Sequence, residues 1–292
     1  MKNNKLLFSR IIAGTMTWGS WGKKYTAKEM EAMMHHCLEL GLTTFDHADI
    51  YGGYTNEADF GAAFAGSSIS REHIQLISKC GIQYVCENRD NTIKHYNYSK
   101  DYIIWSAEQS LSSLRTDYLD LFLLHRPSPL MHPQEIAAAI EQLIKDGKIR
   151  AFGLSNFTPS QVKLIESVIP VAANQVEFSL TADKVMYDGT LDDCLANKRY
   201  AMAWSPLGGY FSEQGEQAGR IKEVLESLTD KYNATETQLL LAWVLKHPAE
   251  VHPVVGTTRA DRLTEATHAV SIELELEDWF RMLEAAQGHK VP

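Results

Sequence analysis

Long hydrophobic runs are missing from this 292-residue chain: the longest, Leu239 to Leu245, falls far short of the roughly 18 residues a membrane helix needs. Lys2 and Lys5 are followed only by Leu6-Leu7-Phe8 before Ser9-Arg10, too short an apolar stretch for a secretory signal. Cysteine is scarce. Cys37, Cys80, Cys86 and Cys194 form no CxxC and no Cys/His zinc spacing, so they read as free thiols in a reducing, cytoplasmic setting. Positive charge is in deficit: 28 Lys and Arg against 37 Asp and Glu leave −9, which argues against a general partner of nucleic acid or of anionic membranes. One local basic site for an anionic ligand remains compatible with that total. No Pro/Gly/Ser-rich linker, low-complexity tract or composition shift divides the chain.

What the chain has is alternation. Apolar runs read as strands at Arg10 to Met16, Thr43 to Asp46, Ile74 to Lys79, Leu119 to Leu124, Ile149 to Leu154, Ala172 to Val176, Ala201 to Trp204 and Val251 to Val255. Between them, apolar residues at helical spacing predict helices at Ala27 to Leu40, Asp101 to Leu114, Pro133 to Lys145, Pro159 to Ser167 and Thr235 to Lys246. Thr158-Pro159 and Thr235 with Gln238 are helix starts, and Gly41 and Asp146-Gly147 are stops. Eight such units predict a single (β/α)8 TIM barrel over residues 1–292, with its active site at the C-terminal face. A doubly wound sheet would carry a Gly-x-Gly-x-x-Gly turn after an early strand, and the chain has none. Two long connections, Gly81 to Lys100 and Ser205 to Gly219, are expected over the active-site face, the first as a lid.

Polar residues stand where the apolar runs stop. Asp46, Lys79, His125, Ser155-Asn156 and Asn174-Gln175 all occupy strand ends, and Tyr51 follows Asp46 within Asp46-His47-Ala48-Asp49-Ile50-Tyr51-Gly52-Gly53. Each alone has an ordinary explanation as a surface lysine, a packing tyrosine or a satisfied core histidine. Together they supply a phenol, a cation, a carboxylate and an imidazole. A phenol with a pKa of about 10 is a poor acid at neutral pH. A neighbouring ammonium is expected to lower it, Asp46 to hold that ammonium charged, and a neutral His125 to hydrogen-bond a carbonyl oxygen. The set suits protonation of an oxyanion as hydride reaches carbon.

The chain resembles the aldo-keto reductase family, on motifs that run in order through nearly its whole length. These are Gly41-Leu42-Thr43-Thr44-Phe45-Asp46 with Ala48, Tyr51-Gly52, Asn56-Glu57 and Gly61, then Ile77-Ser78-Lys79-Cys80-Gly81 and Leu123-Leu124-His125-Arg126-Pro127. Ile149 to Phe157, Asn174 to Glu177, Ala203 to Gly209 and Val254 to Arg259 continue it. The strand-two sequence Asp-His-Ala-Asp-Ile-Tyr-Gly-Gly is similar to that of a bacterial subgroup of NADPH-dependent oxidoreductases. The resemblance implies NADPH-dependent reduction of an aldehyde or ketone, with Tyr51 as proton donor, Lys79 and Asp46 as its modulators and His125 as the orienting group. It implies that Ser155, Asn156 and Gln175 bind the nicotinamide carboxamide, Trp204 stacks on the nicotinamide, and Ser205, Pro206, Leu207 and Gly208 follow the pyrophosphate. Gly256, Thr257, Thr258, Arg259 and Arg262 would line the 2′-phosphate pocket and Glu265 would meet the adenine. No metal is implied, and a monomer is expected.

Three positions depart from the family pattern: His47 replaces a small residue, Gly256 a lysine that grips the 2′-phosphate, and Ala266 an asparagine at the adenine. His47 either joins the site or packs beneath it. Trp18, Trp21, Tyr54, Tyr84 and Arg126 are the candidates for an aromatic-walled substrate pocket. Two other readings compete. Barrels of this family also serve as cofactor-sensing β subunits of potassium channels, ranked second because no extended segment precedes the first strand. A metal-dependent hydrolase is suggested by Asp46, His47, Asp49 and His125, but the His-x-His pair usual in such barrels is absent.

Overall fold

Eight short parallel strands close into a barrel in the computed structural model, which describes residues 8–291. Lys2, Lys5, Leu6 and Leu7, weighed above against a signal peptide, lie outside the described residues. The barrel strands are β1 (Ile12–Gly14), β2 (Thr44–Asp46), β3 (Gln75–Cys80), β6 (Leu121–Leu124), β7 (Phe152–Ser155), β8 (Ala173–Glu177), β9 (Tyr200–Trp204) and β10 (His252–Val255). They pair in sequence order, and β10 closes on β1. β4 (Ile82–Gln83) and β5 (His95–Tyr96) form a separate antiparallel ribbon inside the long connection after β3. Every predicted strand is present, its C-terminal end within two residues of the expected one.

The helices are α1 (Ala27–Glu39), α2 (Asn56–Gly66), α3 (Lys100–Leu114), α4 (Pro133–Lys145), α5 (Pro159–Glu166), α6 (Thr190–Ala196), α7 (Glu216–Tyr232), α8 (Glu236–Leu245), α9 (Ala260–His268) and α10 (Leu276–Gln287). Capping boxes start three of them, Thr26 with Glu29, Thr158 with Gln161 and Thr235 with Gln238. Gly41 and Gly147 follow α1 and α4 with left-handed backbone, φ 74° and 73°, which glycine adopts without a Cβ penalty. Strict alternation has one exception: both α7 and α8 lie between β9 and β10. The extra helix is covered by α10, and Trp243 of α8 stacks on Trp279 of α10 at 4.8 Å.

The barrel interior is filled by Ile12, Ile77, Leu121, Leu123, Ala173, Met202 and Val254. It is a packed core. A Cβ on Gly153 would come within 2.7 Å of Leu123 and 2.8 Å of the Ala173 carbonyl. The opposite faces of the strands, such as Phe45, Leu76, Phe122, Phe152 and Leu154, pack outward against the helices.

Candidate active site

Strand side chains alternate faces, so the residue two places beyond an inward core residue also points inward, one layer nearer the C-terminal mouth. Lys79 follows Ile77 in this way, His125 follows Leu123, Ser155 follows Gly153, Gln175 follows Ala173 and Trp204 follows Met202. On β2, Phe45 packs outward, which turns Asp46 in. The layer above the apolar plug is therefore polar by register alone.

Lys79 is 0% exposed and each of its three protons has an acceptor: Asp46 Oδ2 at 2.7 Å, the His47 carbonyl at 2.8 Å and the Tyr51 hydroxyl at 3.3 Å. Asp46 Oδ1 accepts from Gln175 Nε2 at 2.8 Å, across 129 residues of sequence. Tyr51 is only partly buried, with ring centroids 6.1 Å from His125 and 6.2 Å from Trp21. His125 Nδ1 is buried without a hydrogen-bond partner. The structure thus gathers Asp46, Tyr51, Lys79 and His125, and adds Gln175 as a second holder of Asp46, a contact the sequence does not reveal.

Burial decides the charges. It pulls the Lys79 ammonium down, but Asp46 and Tyr51 pull harder in the other direction and the balance is upward, so Lys79 stays charged. Burial pushes the Tyr51 phenol up, beyond the opposing effect of Lys79. The expectation that the ammonium leaves this phenol below its ordinary value is therefore corrected: the neighbour acts as argued, and desolvation outweighs it. His125 is held well below its ordinary value by burial and then by Lys79, Arg126 and Lys94, which keeps the imidazole neutral. His47 packs beneath the site, edge-on to Phe60 at 4.4 Å and 2.9 Å from Thr15 Oγ1, with its pKa lowered to about 3 by burial and Lys79.

Two carboxyls are enclosed in a way the sequence does not reveal. Asp49 accepts from the Ile50 N–H at 2.7 Å and from Ser106 at 3.2 Å, and Glu57 accepts from Ser78 at 2.5 Å. Burial pushes Asp49 up to about 8, with Glu57 adding to it, and pushes Glu57 up to about 7. Folded pKa values above the unfolded ones give stability that is complete below about pH 4 and is lost as pH rises through about 7 to 8. Asp49→Asn should therefore gain on the order of 1–3 kcal/mol over the parent at about pH 9 and little at about pH 5. Thermal melts at the two pH values check this; an equal change at both would refute it.

The cofactor candidates line the same mouth, several already engaged within the protein. Ser155 Oγ donates to the Gln175 carbonyl at 2.9 Å. Asn156 Nδ2 donates to Ser155 Oγ at 2.9 Å and to the His125 carbonyl at 3.2 Å, while Asn156 Oδ1 accepts from Trp204 Nε1 at 2.9 Å. Asn156 and Ser205 each follow a strand with left-handed backbone, φ 64° and 49°, a strained setting that tends to mark functional positions. Pro206 is buried, and Leu207 and Gly208 are half-buried in the turn beyond Ser205. Gly256 is exposed, with nothing within 4 Å of where a Cβ would stand. The carbonyls of Thr257 and Thr258 accept from Trp18 and Tyr25. Arg259 and Arg262 are exposed at the start of α9, which has no side-chain cap, and Arg259 is ion-paired with Asp261. Glu265 accepts from Thr235 at 2.5 Å, tying α9 to the start of α8.

Of the pocket candidates, Trp21 is 40% exposed beside Tyr51 and 5.5 Å from Tyr84, so both belong to the mouth. Trp18 does not: it is 1% exposed and packed on Phe45 and Phe60, because the chain after β1 folds back into the core. Tyr54 is an anchor, donating to the Ile82 carbonyl and accepting from the Tyr84 N–H. Among the described residues no group of three or more His, Cys, Asp or Glu could hold a metal ion, and no helix is long and apolar enough to cross a membrane.

The sequence profile of the Aldo/keto reductase family matches residues 10–287. The oxidoreductase YcsN of Bacillus subtilis is 42% identical over 98% of this chain and 97% of its own length. A 6-dehydroglucose reductase of Agrobacterium fabrum is 35% identical over 99% and 98%. The crystal structure of the thermostable aldo-keto reductase Tm1743 with the inhibitor epalrestat superposes with a TM-score of 0.81 at 27% identity, covering 97% of each chain. The chain belongs to the aldo/keto reductase family and is an oxidoreductase of the kind that reduces carbonyl groups with a nicotinamide cofactor.

Proposed function

We propose that this single-domain barrel reduces an aldehyde or ketone to an alcohol with NADPH, Tyr51 giving the proton. The observation that carries the reading is a part-exposed phenol held by a buried, charged lysine, with a neutral imidazole beside it. Bound NADPH supplies the hydride. Tyr51, protonated at neutral pH, donates to the carbonyl oxygen, and Lys79, fixed by Asp46, stabilises the phenolate as it forms. His125 hydrogen-bonds that oxygen and sets which face of the carbonyl is presented. Ser155, Asn156 and Gln175 hold the carboxamide by exchanging their internal partners, and the Trp204 ring stacks on the nicotinamide.

The turn Ser205-Pro206-Leu207-Gly208 takes the pyrophosphate. The start of α9, where Arg259 and Arg262 are both exposed, supports placing the 2′-phosphate against Gly256, Thr257, Thr258 and Arg259. Glu265, already bonded to Thr235, borders the adenine. The first substrate to offer is 6-dehydroglucose, the aldehyde in the name of the Agrobacterium relative.

Titration of tryptophan fluorescence tests the cofactor assignment. NADPH should quench at lower concentration than NADH, and the Trp204→Phe variant should lose most of the quench. Quenching by neither dinucleotide would overturn the reading, and equal affinities would overturn the preference for NADPH.

A further inference from the structure

Arg126 follows His125 directly and is exposed at the mouth. Its backbone is held in both directions by one hydroxyl: Tyr98 Oη donates to the Arg126 carbonyl at 2.5 Å and accepts from its N–H at 3.2 Å. Tyr98 packs against Gly81, where any Cβ would come within 1.9 Å of the ring. The Gly81 to Lys100 connection is thus clamped onto the strand end that carries His125.

The Arg126 guanidinium sits over the Trp204 ring at 5.5 Å. Elsewhere in the molecule, Arg71 and Arg150 stack on Tyr118, both at 3.8 Å, and both also pair with Asp120, at 2.7 and 2.9 Å. Arg126, like Arg89 over Tyr54 and Trp105, has the aromatic platform without the carboxylate, and of the two it is Arg126 that adjoins His125: no ion pair to it exists among the described residues, in a chain with nine more acids than bases. The charges that reach His125 are those of Lys79, Arg126 and Lys94, all positive, and Lys79 is already matched by Asp46 at 2.7 Å. A guanidinium fork with five donors, an aromatic platform and no carboxylate partner among the described residues suits two-pronged capture of a carboxylate or phosphate.

We propose that Arg126 is an oxyanion subsite of the substrate mouth, and that the preferred substrate is an aldehyde or ketone bearing a carboxylate or phosphate close to its carbonyl. This rests on the carbonyl-reductase reading above. Hydride from NADPH adds to the carbonyl carbon, the C=O π pair takes the proton of Tyr51, and NADP+ leaves, while the substrate anion stays unchanged on Arg126.

Matched substrates test it: 4-oxobutanoate against butanal for a carboxylate, and glyceraldehyde 3-phosphate against glyceraldehyde for a phosphate. The readout is the ratio of kcat/KM within each pair, so a general loss of activity in a variant cancels. In the parent the anionic member of at least one pair should lead by roughly tenfold or more, and added salt should shrink that lead. Arg126→Gln should bring the ratio close to one through KM, and Arg126→Lys should keep part of it. A parent ratio near one in both pairs, or a ratio untouched by Arg126→Gln, overturns the subsite while leaving the reductase reading intact. No turnover of any of the four compounds or of 6-dehydroglucose overturns both.

Discussion

Tyr51→Phe is expected to lower kcat/KM for carbonyl reduction by roughly 10²–10⁴, the usual cost of losing a positioned general acid. The phenylalanine ring keeps the contacts with Trp21 and His125, and Lys79 keeps Asp46 and the His47 carbonyl, so only the 3.3 Å bond to the hydroxyl is lost. Stability should change by about 1 kcal/mol or less, the net worth of one hydrogen bond. NADPH binding should persist, which separates a chemical defect from an empty site. Because burial raises the Tyr51 pKa and depresses that of His125, the parent should keep its proton donor through neutral pH and lose it only in alkali. A variant within a few-fold of the parent would remove Tyr51 from the chemistry.

Lys79→Met should damage both stability and rate. It strands the Asp46 carboxylate in a site where both side chains are almost fully enclosed, and breaking a buried pair on one side costs about 3–5 kcal/mol. The rate should fall as well, since no cation remains to stabilise the forming phenolate. These effects separate in the double variant Asp46→Asn/Lys79→Met. With the orphan charge gone, and with the introduced amide oxygen able to accept from Gln175 as the Asp46 carboxylate does, most of the stability should return. The rate should stay low. Recovery of the rate along with the stability would show that the pair is structural only.

The sequence made Asp46, Lys79 and His125 legible for a physical reason. In a barrel strand buried on both faces, the first inward position beyond the apolar plug is where polarity appears, and the eye needs only the end of an apolar run to find it. Tyr51 lies beyond β2 in a loop, so no apolar run ends on it, and its place shortly after Asp46 is what makes it legible. The bond from Gln175 to Asp46 is not legible, because nothing local in the sequence reveals that β8 faces Asp46 across the barrel. Trp18 misled because a tryptophan just after a strand resembles a pocket wall, while its actual partners, Phe45 and Phe60, are distant in sequence. Helix α2 gave little signal since Asn56, Glu57, Phe60, Gly61, Ala63 and Phe64 are all buried and leave no clean polar stripe. The Tyr51 pKa went the other way for the same reason: sequence names the neighbouring cation, and only packing sets the desolvation it has to overcome.

Hydride transfer to a carbonyl is the centre of this account, and isotope transfer tests it most directly. NADPH carrying deuterium at both C4 positions of the nicotinamide is turned over with an aldehyde, and the alcohol is analysed by mass spectrometry. The expected result is one deuterium on the carbinol carbon for each NADPH consumed. An alcohol without deuterium, or one formed with no loss of NADPH, would contradict it.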